Sequence, residues 1–184
     1  MLRKLRILLA VALTVALLPA LAAPVRTAHV EAELVSERTA VVPGEPVTVA
    51  LRLKMADGWH TYWRNPGDSG LPTTLRWTLP AGLQADAIEW PTPQRILVGN
   101  MVNYGFEGRL LLPVPVRVAP DFAAPADGQL SITLHASWLV CRQECVPQEG
   151  QFVLRIPTRG STALNAAAFE TARAAQPRPF AGPA

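Results

Sequence analysis

The chain has 184 residues, 17 of them Lys or Arg and 14 Asp or Glu, for a formal net charge of +3, with hydrophobic residues at 49%. Three of the basic residues, Arg3, Lys4 and Arg6, sit at the amino terminus, so the remainder is near neutral and shows no basic stripe. Nucleic-acid binding, which needs Lys and Arg gathered along one face, is excluded on that ground.

The first stretch reads as an address. Arg3, Lys4 and Arg6 precede an apolar core from Ile7 to Leu18, and Ala20-Leu21-Ala22 is a small-x-small cleavage site. This is the pattern of a secretory signal peptide, residues 1–22, with cleavage expected after Ala22 and Ala23 as the alternative. About 160 residues then remain, enough for one domain with a sizeable core. Export permits a disulfide. No later apolar run is long enough to span a membrane as a helix.

Along the chain, apolar residues alternate with polar ones. Pro24 to Ala28 reads as a short leader. Val30, Ala32 and Leu34 form one alternation, and Val47, Val49, Leu51 and Leu53 another, with the turn Pro43-Gly44-Glu45-Pro46 between them. Trp59 to Trp63 is a short aromatic run, followed by a loop by composition from Asn65 to Pro72. Leu75, Trp77 and Leu79 alternate again, and Ala87 to Trp90 is a short extended stretch ended by Pro91. Residues 91–100 read as a loop, and Met101 to Phe106 as extended. Arg109 to Val118 is a strongly apolar run whose Pro113 and Pro115 place it at an edge or at bulges. Two arms follow: Leu130, Ile132, Leu134, Ala136 and Trp138 lead in, and Phe152, Leu154 and Ile156 lead out. Short alternating strands at this spacing predict an all-β sandwich over residues 28–158. Residues 159–184 read as a tail: Ser161 as N-cap of an Ala-rich linker helix from about Thr162 to Ala175, then Pro177, Pro179 and Pro183.

The two hairpin arms flank the only two cysteines, Cys141 and Cys145, at the tip. Three readings of the pair stand open. As a structural staple it closes a loop of five residues, worth only about 2 kcal/mol by chain entropy. As a redox site it has proximity and access, and Arg142 favours a thiolate on Cys141 while Glu144 opposes one on Cys145. As a metal site it forms H-x5-C-x3-C with His135, with His60 or Met101 as further ligands, and the soft Cys and Met donors would suit Cu(I) better than zinc.

Gly67-Asp68-Ser69-Gly70 matches the tetrapeptide around the nucleophile of chymotrypsin-like proteases, with His60 nearby in sequence. The chain is too short for the double-barrel scaffold a triad needs, and a Gly- and Pro-bounded turn is the better account. In Trp59-His60-Thr61-Tyr62-Trp63, strand parity sends Trp59, Thr61 and Trp63 to one face and His60 and Tyr62 to the other. The tryptophans are expected in the core. His60 and Tyr62 can line a surface near the thiols, although a strand-surface histidine is the plainer role for His60.

Three blocks carry a resemblance. They are Gly58 to Pro72 (GWHTYWRNPGDSGLP), Val98 to Gly108 (VGNMVNYGFEG) running into Leu110 to Val114, and Ala136 to Pro147 (ASWLVCRQECVP). In this order they resemble the N-terminal periplasmic domain of the DsbD thiol:disulfide interchange proteins, especially the branch of the suppressor-of-copper-sensitivity proteins. The likeness covers roughly Val30 to Pro157. It implies an immunoglobulin-like β-sandwich in the periplasm with a pair that cycles between dithiol and disulfide, a component of a protein-disulfide reductase. It implies electrons arriving from a DsbD-type membrane domain and a thioredoxin-like domain, in cis or in trans. The acceptors it implies are thioredoxin-fold proteins such as disulfide isomerases and cytochrome c maturation thioredoxins.

By motif position, Cys145 matches the cysteine that forms mixed disulfides and Cys141 its resolving companion. Tyr62 matches an aromatic beside the pair, and the loop around Arg95 to Val98 matches a cap over it. There Ile96 or Leu97 takes the place of an aromatic cap residue. No cofactor is expected. The best-studied members have five residues between the cysteines, where this chain has three. The membrane and thioredoxin-like domains are not in this sequence, and the Pro-rich ending accords with a piece of a longer protein.

Overall fold

A computed structural model describes residues 22–178. The signal-peptide reading, apart from its last residue, and the last six residues of the tail lie outside them.

Eleven strands and one helix are described: β1 (Val25–Arg26), β2 (Val30–Ser36), β3 (Val47–Met55), β4 (His60–Gly67), β5 (Thr74–Thr78), β6 (Leu83–Ala85), β7 (Gln94–Val98), β8 (Met101–Glu107), β9 (Arg109–Val118), β10 (Gln129–Cys141), β11 (Cys145–Pro157) and α1 (Ala166–Ala174). One antiparallel sheet has the order β1-β2-β3-β9-β6. The other has the order β11-β10-β4-β8-β7, with β5 also paired to β10. The two form an immunoglobulin-like sandwich. Its core is the set of alternating residues read from the sequence: Val49, Leu51 and Leu53 on β3 and Leu112 and Val114 on β9 face Leu130, Ile132, Leu134 and Ala136 on β10 and Phe152 and Leu154 on β11. The long strands β3, β9, β10 and β11 thus bury one row of side chains each against the opposite sheet.

Four segments differ from the sequence reading. Residues 91–100 are not simply a loop, because β7 pairs with β8 as a hairpin from Gln94↔Gly105 to Val98↔Met101, turning at Gly99 and Asn100. Conversely, Asp86 to Trp90 is not a strand. Asp86 and Glu89 each donate an N–H to Pro115 and Pro113 carbonyls, both at 2.8 Å, and those prolines have no N–H to return. A two-way ladder cannot continue there, and β6 stops at Ala85. The two prolines therefore face the weakly paired edge of the sheet, while the other side of β9 pairs fully with β3.

The third difference is in β4. It continues through Asn65 and Pro66, which composition assigned to a loop. Its register to β8 shifts between Tyr62 and Gly67, and this irregularity leaves Pro66 free of a ladder bond it could not make.

The fourth is the helix, which begins at Ala166 with Asn165 at its N-cap position and no side-chain cap. Ser161 instead bonds the Ala40 carbonyl. The helix buries Phe169 completely against Val35, Ala50 and Leu111, on the outer face of the first sheet. Asn165 donates to the Ser36 carbonyl at 2.8 Å, and Arg173 pairs with Glu37 at 2.8 Å. Its apolar hold on the sheet comes from Phe169, with Ala172 also buried, and not from a full apolar stripe. Replacing Phe169 with Ala is expected to remove about 3 kcal/mol of stability, read as a shift of the urea midpoint with the β-sheet circular dichroism of the folded state retained.

Candidate functional site

The β10–β11 hairpin is in register from Gln129↔Pro157 to Cys141↔Cys145 without a break. Such a ladder delivers the two cysteines directly opposite one another, and they form a disulfide with Cα atoms 4.1 Å apart. A three-residue turn closes it, with the Arg142 N–H donating to the Glu144 carbonyl at 3.0 Å. The two sulfur-bearing residues differ in access: Cys141 is 2% exposed, whereas Cys145 is exposed to solvent.

Strand parity decides what surrounds them. Val140 and Trp138 point to the core, so Cys141 points outward, and it pairs across the sheet with His60. Trp59 and Thr61 are buried on the core side, and the Thr61 hydroxyl donates to the Leu139 carbonyl at 3.0 Å. His60 and Tyr62 share the cysteines' face, as their parity requires. Both are buried there rather than lying on the surface: His60 is 3% and Tyr62 1% exposed. The Tyr62 hydroxyl lies 3.8 Å from Cys145 Sγ and 3.4 Å from His60 Nε2.

What covers Tyr62 is the loop that carries the Gly-Asp-Ser-Gly motif. Pro72 forms a bridge with Tyr62, and a Cβ on Gly70 would fall 2.2 Å from Tyr62 Cε1, so only glycine lets the backbone lie flat on the ring. The motif's polar groups fasten the loop to β8. Asp68 accepts the Val102 N–H at 2.8 Å, and Asn103 Oδ1 accepts both the Ser69 N–H (3.0 Å) and its hydroxyl (3.1 Å). These bonds give Asp68 and Ser69 structural work, in keeping with the turn reading.

The tip is held from behind as well. Arg142 lies over the Trp59 ring, 6.0 Å from its centroid, and His29 stacks on the same indole at 3.7 Å. Gln148 Oε1 accepts from the Trp138 indole at 3.2 Å and lies 2.6 Å from the Thr27 hydroxyl. The leader is thereby bound to the hairpin.

Ile96 and Leu97 are on β7. β7 is separated from β10 by β4 and β8, three strand spacings or roughly 14 Å. Ile96 packs beside Gly105, on the same face as Tyr62, whereas Leu97 is 60% exposed and on the other face by alternation. The ligand set read as H-x5-C-x3-C does not assemble. His135 sits six residues from Cys141 along β10, roughly 20 Å away, and bonds Arg76 at 3.0 Å.

An open groove of about 650 Å³ flanks the hairpin tip on the outward face, lined by Leu71, Pro72, Leu139 and Pro147 among others. Leu139 and Pro147 are a register pair two steps from the disulfide, and Leu71 is 66% exposed.

Comparison with known proteins bears on this arrangement. Residues 31–157 match the family described as thiol:disulfide interchange protein DsbD, N-terminal. The chain belongs to the DsbD N-terminal domain family. Among solved structures, it is similar to the N-terminal periplasmic domain of ScsB from Proteus mirabilis, with a TM-score of 0.60 and 19% identity, covering 82% of this chain and 56% of that one. The chain thus spans little more than half the length of that structure. The N-terminal domain of Neisseria meningitidis DsbD in its reduced form aligns with a TM-score of 0.38 and 14% identity, covering 71% of this chain and 89% of that one. No curated protein matches. The disulfide at the hairpin tip is the cysteine pair of this DsbD N-terminal domain.

Two measurements probe the site. Burial pushes the His60 imidazole below its ordinary value of 6.5, against a smaller upward pull from Glu107. Between those values the unfolded chain binds a proton that the folded chain refuses, so His60 makes stability fall as pH drops below about 6.5. In His60→Gln the fall in urea midpoint between about pH 6.5 and 5 is expected to be shallower than in the wild type. Gly70→Ala puts a Cβ into the Tyr62 ring at a backbone φ of +98°, and is expected to cost 2 kcal/mol or so and to raise the proteolytic nicking rate of the loop.

Proposed function

We propose that this domain is a periplasmic thiol–disulfide exchange module that relays reducing equivalents to acceptor proteins through the Cys141/Cys145 pair. The observation that carries it is the asymmetry of the disulfide: one cysteine residue exposed to solvent and one buried, at the end of an unbroken ladder. A structural bridge has little to add there, because the hairpin is already zipped along its length and the bridge closes only a five-residue loop.

In the reductive half, a donor's thiolate attacks Cys145 Sγ. The Cys141–Cys145 bond breaks and Cys141 leaves as a thiolate. The donor's second thiol then attacks the donor sulfur, which releases Cys145 and leaves the donor as a disulfide. In the second half, the Cys145 thiolate attacks an acceptor disulfide and expels one acceptor thiolate. Cys141 then attacks Cys145 Sγ, remaking the bond and releasing the other acceptor sulfur. Two electrons pass, and no cofactor is required.

The donor in this reading is a thioredoxin-like domain supplied by a DsbD-type membrane protein, in cis or in trans. The acceptors are thioredoxin-fold proteins, with disulfide isomerases, cytochrome c maturation thioredoxins and copper-tolerance reductases as the classes the family suggests. The apolar groove of Leu71, Pro72, Leu139 and Pro147 would receive the acceptor's surface beside its own disulfide. Export by the amino-terminal signal places the domain in the periplasm.

The decisive experiment is a trap. Cys141→Ala should accumulate a mixed disulfide between Cys145 and an oxidised thioredoxin-fold acceptor, visible on a non-reducing gel, whereas Cys145→Ala should accumulate none. Equal trapping by both variants would remove the assigned roles. A reduction potential below about −300 mV would instead mark a purely structural bridge.

A further inference from the structure

Tyr62 and His60 are buried polar side chains on the redox face that the exchange chemistry described above does not use. They touch in series. Cys145 Sγ lies 3.8 Å from the Tyr62 hydroxyl, and that hydroxyl lies 3.4 Å from His60 Nε2, with the two rings edge to face at 5.3 Å. Gly70 pressed on the Tyr62 ring, together with the Pro72 bridge, leaves the phenol little freedom to swing away. Thr61, between them, is buried on the core side, and its hydroxyl donates to the Leu139 carbonyl, which ties β4 to β10 at this point.

We propose that Tyr62 and His60 are the proton path of the Cys145 thiol, with His60 as the base and Tyr62 as the relay. The inference rests on the exchange reading of Cys145. In the reduced domain the Cys145 S–H donates to Tyr62 Oη, and the Tyr62 O–H donates to an unprotonated His60 Nε2. Two concerted shifts then move one proton. Tyr62 passes its hydrogen to Nε2 and takes the hydrogen from sulfur. The products are a Cys145 thiolate that accepts a hydrogen bond from Tyr62, and a His60 imidazolium. No electron moves in this step, and Tyr62 ends as it began. When the thiolate attacks an acceptor disulfide, Cys145 sulfur can no longer take the proton back, so His60 releases it to solvent and the expelled acceptor thiolate draws one from solvent, which leaves the proton count unchanged.

The surroundings suit a base that stays neutral until it is used. Desolvation holds the buried imidazole neutral, and Glu107, its register partner on β8, steadies the imidazolium. Cys141 on β10 is the register partner on the other side. Arg142 in the turn lies over Trp59, the residue before His60. Burial opposes ionisation of the Tyr62 phenol and holds it in the protonated form. Tyr62 therefore acts as a carrier of hydrogen and not as a phenolate.

The test needs no protein acceptor. The reduced domain is alkylated at Cys145 with iodoacetamide across pH, in a Cys141→Ala background. Tyr62→Phe is expected to lower the rate at pH 7 by about tenfold, equivalent to a one-unit rise in thiol pKa, while leaving the high-pH plateau unchanged. His60→Gln keeps an acceptor for the Tyr62 hydroxyl but cannot take up a proton. It should lower the rate at pH 7 to a similar extent and erase the inflection that His60 contributes to the wild-type profile. A purely structural role would move the plateau through access, not the profile. Urea midpoints of both variants at pH 8 show whether the domain is folded in the assay, and 3-fluorotyrosine at position 62 supplies a variant of the same shape, whose more acidic phenol should shift the profile. Profiles unchanged by Tyr62→Phe and by His60→Gln in folded protein would overturn the proton path. The exchange reading is judged separately by the mixed-disulfide trap, so failure of either is recognisable by itself.

Discussion

The unbroken pairing of β10 with β11 is the constraint on which the rest depends. A ladder with no bulge has one register, and a slip of one residue would send Leu130, Ile132, Leu134 and Trp138 to solvent and their neighbours into the core. The hydrophobic effect therefore fixes the register along the whole hairpin. The opposed placement of Cys141 and Cys145 follows from that register, without the disulfide having to impose it. Reduction can then break the sulfur–sulfur bond while the frame that aligns the thiols stays intact.

The same parity sorts the neighbouring strand. Once Trp59 and Thr61 are inside, His60 and Tyr62 must share the outward face with the cysteines, and this face is covered by the returning Gly67–Thr73 loop. The sandwich thus creates a second, small buried zone outside its main core. In that zone polar groups meet in a medium of low polarity, where a hydrogen bond to a developing thiolate is worth more than in water. Cys145 sits at its margin, exposed to solvent and in contact with Tyr62.

Much of this was legible from alternation alone. The strands bearing Val30 to Leu34, Val47 to Leu53 and the two hairpin arms stand where period-two patterning puts them, because each buries a full row of side chains. The division of Trp59 to Trp63 into two faces was readable for the same reason. Segments governed by backbone supply rather than burial were not. Ala87 to Trp90 reads as extended, but Pro113 and Pro115 deny it a ladder. Gln94 to Val98 sits between Pro93 and Gly99 and reads as loop, yet it pairs with β8. Phe169 is one aromatic in an Ala-rich helix, too little periodicity to announce a docked face. The cover over Tyr62 was also beyond local reading. Gly70 lies eight residues from Tyr62 in the chain, and its closeness arises from Asp68 and Ser69 fastening to β8. The glycines of the motif were the available signal, since glycine between polar residues marks either a turn or a close backbone approach; here it is both.

The attachment of Thr27 and His29 to the hairpin has a thermodynamic side. Trp59 is shared: His29 stacks on it, and Arg142, between the two cysteines, rests over it. Gln148 is shared in the same way by Thr27 and Trp138. Two regions that share a platform are coupled, and coupling is reciprocal. If breaking the disulfide loosens the turn around Arg142, the hold on the amino-terminal segment weakens by the same free energy with which release of that segment would favour the dithiol. The first strand of the domain would then report on the oxidation state of a bond more than a hundred residues along the chain.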